Sequence, residues 1–71
     1  MSGFERQPVT RAVSLALQSM ADPMARSDLL FLEEWEIRRT ANPGAVLRIS
    51  QIRRANPDLA AAVARELKTT A

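Results

Sequence analysis

Apolar residues recur at Val9, Ala12, Val13, Ala16, Leu17 and Met20, with Arg11, Ser14 and Gln18 between them. Steps of three and four gather the first set on one helical face and leave the second outside it. Three more segments follow. A longer helix runs from Pro23, or from the alternative cap Ser27, to about Thr40. Ala45, Val46, Ile49 and Ile52 then form a narrower stripe. Leu59, Val63 and Leu67 line one side of a last segment, with Ala60 and Ala64 adjacent. Nowhere do apolar and polar residues alternate with the period of two that marks a strand. The pattern predicts an all-α fold: a compact bundle of four short helices with very tight connections, spanning 8–69. A flexible N-terminal tail (1–7) and a C-terminal tail (70–71) flank it.

The four prolines set the boundaries. They follow Gln7, Asp22, Asn42 and Asn56, each just ahead of a helical pattern. Proline suits the first helical position, where no N–H partner is lost, and pushes the preceding residue out of the helical region. Asp22, Asn42 and Asn56 therefore read as N-caps, whose side chains accept from the first free N–H groups. Gln7 reads as a weaker one.

The same logic accounts for a duplicated phrase, Ile-Arg-Arg followed by Ala-Asn-Pro, at Ile37–Arg39 and Ile52–Arg54. Arg38-Arg39 and Arg53-Arg54 each fall in a last helical turn, opposite the negative end of the helix dipole. The Asn-Pro behind each pair opens the next helix. Two such punctuation marks are too few for a repeat architecture, which needs at least three stacked units.

The second helix is apolar on two sides. Met24, Leu29, Phe31, Leu32 and Trp35 share a broad side, while Leu30, Ile37 and Ala41 mark another. Such a helix is either central in its bundle or shared with a second molecule. Size sharpens that choice. A 71-residue chain buries a modest core, and small domains usually need a staple. With no Cys and no His, disulfides and the usual zinc sites are excluded, so self-association is the staple expected.

The same composition narrows the chemistry. Catalysis would have to rest on carboxylates, hydroxyls and the single lysine, Lys68, and no glycine-rich phosphate loop exists. Glu33 and Glu36 lie three apart, yet the di-metal bundles pair Glu with His on facing helices. Glu34–Arg38 and Glu36–Arg39 have the spacing of surface ion pairs, so a solvated, self-neutralising face is expected. The chain reads as no enzyme, with no cofactor, no metal and no small-molecule substrate.

MSGFERQPVT lacks the apolar stretch of a secretory signal. The longest apolar run, Leu59–Ala64, is far short of a bilayer span. A cytoplasmic protein without membrane attachment is the expectation.

Between Arg38 and Arg54 lie five arginines and no acid. On the third helix Arg48, Ser50, Gln51 and Arg54 point outward, and such side chains reach base edges and phosphates. Against DNA or RNA stand the acids Glu33, Glu34 and Glu36 just upstream and a net charge of only +2. Aligning Gly44 with the turn of a helix-turn-helix also puts Arg39, Pro43, Ser50 and Arg53 where apolar residues belong. The favoured expectation is a small regulatory or adaptor protein that contacts another protein or a second copy of itself, through Leu30, Phe31, Trp35 and Ile37. Its alternative is a nucleic-acid binder using Arg38, Arg39, Arg48, Gln51, Arg53 and Arg54.

Overall fold

A computed structural model of the chain describes residues 6–39 and 42–70. It contains α1 (Arg11–Gln18), α2 (Pro23–Arg38), α3 (Pro43–Ala55) and α4 (Pro57–Thr70), and among the described residues no strand. The all-α, four-helix expectation holds. Helices α2 and α4 touch each other and both remaining helices, whereas α1 and α3 do not meet. The bundle is thus a central α2/α4 pair with α1 on one side and α3 on the other.

That arrangement explains the two-sided second helix. Leu29 and Leu30 face α1, packing with Val13, Leu17 and Val63. Leu32 faces α3, packing with Ile49, Ile52 and Ala60, with Phe31 and Trp35 at the edge of the cluster. Ala60 adds little volume between these helices, which lets α3 and α4 approach closely. Each fully buried aliphatic side chain contributes on the order of 1.5–3 kcal/mol.

Three of the four proline boundaries are helix starts. Asp22 accepts from the Ala25 N–H, and Asn42 from those of Gly44 and Ala45, so both are N-caps. Asn56 acts through its backbone as a one-residue joint: its N–H donates to the Ile52 carbonyl and its own carbonyl accepts from Ala60. Pro8 departs from the expectation. The first helix begins three residues later, and its N-cap is Thr10, not Gln7. Ser27 lies inside α2.

Helix α1 has only eight residues, too few to persist without support. Charged side chains from other helices hold both its ends. Glu33 of α2 accepts from the N–H groups of Val9 (2.9 Å) and Thr10 (2.7 Å) and from the Thr10 hydroxyl (2.6 Å). Glu66 of α4 accepts from those of Arg11 (2.8 Å) and Ala12 (2.9 Å). Thr10 Oγ1 takes the Val13 N–H, so the free donors of the first turn are all satisfied. At the other end the Arg26 guanidinium donates to the carbonyls of Leu17 and Met20, both at 2.7 Å.

The predicted boundaries shift accordingly. Arg6 pairs with Glu33 at 2.9 Å and donates to the Leu30 carbonyl at 2.8 Å, so the end of the presumed tail is tied into the bundle. Residues 1–5 lie outside the described residues. Helix α4 extends to Thr70, one residue into the presumed C-terminal tail, and Ala71 lies outside the described residues.

Candidate docking groove between α2 and α3

Phe31 and Trp35 sit one turn apart on α2, at the rim of the Leu32–Ile49–Ile52 cluster. Their outer edges meet the start of α3 across an open groove of about 460 Å³. Its walls are Phe31, Glu34, Trp35 and Arg38 from α2, and Asn42, Gly44, Ala45 and Arg48 at the start of α3. Gly44 keeps this end of the groove in shape. A Cβ there would stand 3.2 Å from the Asn42 Oδ1 atom that caps α3.

Arginines dress both rings. The Arg48 guanidinium carbon lies 4.1 Å from the Phe31 ring centroid, and Arg48 also pairs with Asp28 at 2.9 Å. Over Trp35 lie Arg39 at 5.5 Å and Arg53 at 5.1 Å. Both contacts fall within the roughly 6 Å reach of a cation–π interaction. Arg39 and Arg53 also share one acid: Glu36 accepts from Arg53 at 2.5 Å and pairs with Arg39 at 3.4 Å. Glu34 bridges Arg38 and Arg6.

The acids of α2 therefore do not form the solvated face the spacing suggests. Both expected pairs, Glu34–Arg38 and Glu36–Arg39, are present, but Glu36 and Glu33 are buried. Burial pushes the Glu33 carboxyl upward. Hydrogen bonds from the Thr10 hydroxyl, the Val9 and Thr10 N–H groups and Arg6 outweigh it and hold the pKa below its ordinary value of 4.5. These oxygens are occupied in holding helices together, not poised over a cavity.

The four residues expected at the partner surface part company. Phe31 and Trp35 are half-buried and shape the groove. Ile37 is 46% exposed, but Leu30 is only 8% exposed and belongs to the core shared with α1 and α4. Leu30 is therefore no contact residue, and the presumed second apolar side is not one surface. Ala41 lies outside the described residues.

Of the residues in the nucleic-acid alternative, Arg38, Arg39, Arg48 and Arg53 are all ion-paired to α2 acids. Gln51 and Arg54 are exposed on α3. Val46 and Leu47 add exposed apolar surface to the same helix. Sequence reasoning missed Glu34, Asn42, Gly44 and Ala45 in the groove wall, and Glu36 as the carboxylate shared by two arginines. For Glu36 the signal was present in part, as an acid three residues from Arg39.

Charge is unevenly spread. Around the α2/α3 contact five arginines, Arg38, Arg39, Arg48, Arg53 and Arg54, stand with three acids, Asp28, Glu34 and Glu36, and Glu34 is shared with Arg6. Among the described residues no helix is long and apolar enough to cross a membrane. No protein family, curated protein or solved structure matches the chain.

Proposed function

We propose that this chain is a small non-enzymatic regulatory or adaptor protein that docks an acidic segment of a partner protein in the α2/α3 groove. The observation that carries the reading is the groove itself, where two aromatic edges stand between Arg38 and Arg48, with Arg39 and Arg53 over the neighbouring face of Trp35. Phe31 and Trp35 offer apolar edges at its floor, and buried aromatics with arginine commonly dominate contact energetics. The arginine rim would draw in an acidic partner and reject a basic one.

A partner of different sequence fits better than a second copy. Within the chain Asp28, Glu33, Glu34 and Glu36 are already ion-paired and Asp22 and Glu66 cap helices, so a second copy offers little free acid to this face. Nucleic acid fits less well again. Single strands are bound by stacking bases on open aromatic faces, and here each ring already carries a guanidinium.

Selection of random displayed peptides on the immobilised protein tests the proposal. Enriched peptides should combine Asp or Glu with a Leu, Phe or Trp anchor, and should lose at least tenfold in affinity against Trp35→Ala or Arg48→Ala. Enrichment of basic peptides, or binding indifferent to both substitutions, would overturn it. So would a high-affinity complex with single-stranded or duplex nucleic acid that competes with the peptides.

A further inference from the structure

The docking reading leaves open what the arginines grip, and one pair is built differently from the rest. Glu36 lies beneath Arg39 and Arg53 with its side chain 3% exposed, whereas the two arginines are 68% and 45% exposed. Both guanidinium groups also rest on Trp35. Two cations thus converge on one covered carboxylate, and the cluster keeps one positive charge. A guanidinium has five N–H donors in a fixed fork. Glu36 engages Nη2 of each, so each fork keeps further donors, and both side chains reach solvent.

The backbone gives a second, independent observation. Arg39 closes α2 in the left-handed region, at φ 54° and ψ 44°, and is the only non-glycine residue with positive φ among those described. Glycine is the usual occupant of that position because a Cβ is strained there. A side chain retained at a strained position points to a use for that side chain. From this turn the Arg39 head lies over Trp35 and reaches Glu36, the same two groups that Arg53 contacts.

We infer that Arg39 and Arg53, clasped around Trp35 above Glu36, form a seat for one carboxylate of the docked segment, supplied by an Asp or Glu side chain. The inference rests on the docking reading and adds its specificity element. The incoming carboxylate bridges the two guanidinium groups from the solvent side and brings the cluster to neutrality. Arg54, next in sequence but outside the clasp, takes no part.

Trp35 is the single tryptophan and lies within the seat, so its fluorescence reports occupancy. The protein is titrated with glutarate at constant ionic strength, with inorganic phosphate as a second arm and sodium chloride as the baseline. The expected result is a saturable change with glutarate that weakens at least tenfold in Arg53→Gln and in Arg39→Gly, and less than twofold in Arg54→Gln. Arg39→Gly should also leave the melting temperature nearly unchanged, because relief of the left-handed turn offsets the lost contacts to Glu36 and Trp35. That separates a binding role from a purely structural one. A response no larger than that of chloride overturns the seat, as does an Arg39→Gly protein that melts lower yet still responds. Saturation by phosphate at a tenfold lower concentration than glutarate overturns it in favour of a phosphate ligand. If the seat fails while acidic peptides still bind through Trp35 and Arg48, the seat alone is withdrawn; if the peptides fail too, the docking reading goes with it.

Discussion

Replacing Glu33 by Gln is the sharpest test of how α1 is held. Glu33 is wholly buried, and its two oxygens serve the Val9 and Thr10 N–H groups, the Thr10 hydroxyl and the Arg6 guanidinium. Glutamine has nearly the same shape but turns an NH₂ toward donors, so at least one buried N–H loses its acceptor and Arg6 loses its counter-charge. Hydrogen bonds to a charged group are worth about 1.5–3 kcal/mol each, and breaking a buried pair about 3–5 kcal/mol. A loss of about 3 kcal/mol is therefore expected, most of the stability a domain of this size commands. Urea denaturation followed by circular dichroism measures it.

Acidity supplies a second arm for the same experiment. The folded-state pKa of Glu33 lies below the ordinary 4.5, so its contribution is complete above that value and disappears as pH falls through the folded pKa. The parent protein should lose stability over that range more steeply than Glu33→Gln, and the two should converge in strong acid. A variant within about 0.5 kcal/mol of the parent at neutral pH, the scatter of ordinary surface substitutions, would refute the reasoning.

Other outcomes follow from the same contacts. Glu66→Ala strips the acceptor from the Arg11 and Ala12 N–H groups and should lower stability by about 1–2 kcal/mol in thermal melts, the cost of a lost helix cap. Leu30→Ser should unfold much of the protein, at about 3 kcal/mol or more. Ile37→Ser should change stability by less than about 0.5 kcal/mol, because Ile37 is half-exposed. Asn42→Ala should cost about 1 kcal/mol through the α3 cap and loosen the groove wall, read by denaturation and by hydrogen exchange at Gly44 and Ala45.

Helix number and class were legible in the sequence because proline, cap and periodicity agree locally. The roles of Glu33 and Glu66 were not. Their partners lie 23 or more residues away, on the extended run before α1 and on its first turn, and no spacing rule links them. Periodicity scores Glu as solvated, and only the fold shows that α1 lacks donors' partners of its own. Leu30 and Ile37 illustrate a different limit. Seven residues apart, they share a helical line and look alike in projection. They are also about 10 Å apart along α2 at 1.5 Å per residue, and α1 spans only about 12 Å. The short helix shields Leu30 and stops before Ile37. The α2/α3 groove was legible in part: its aromatics and arginines stood out, but the pairing of each arginine with an α2 acid depends on how α3 crosses α2.

Amide chemical-shift mapping with a selected acidic peptide tests the docking claim most directly. Saturable shifts should concentrate on α2 from Phe31 onward and on α3 from Gly44 to Arg53, with the Trp35 indole among the largest and α1 nearly still. Shifts centred on α1 or on the outer face of α4, with the indole unmoved, would contradict it.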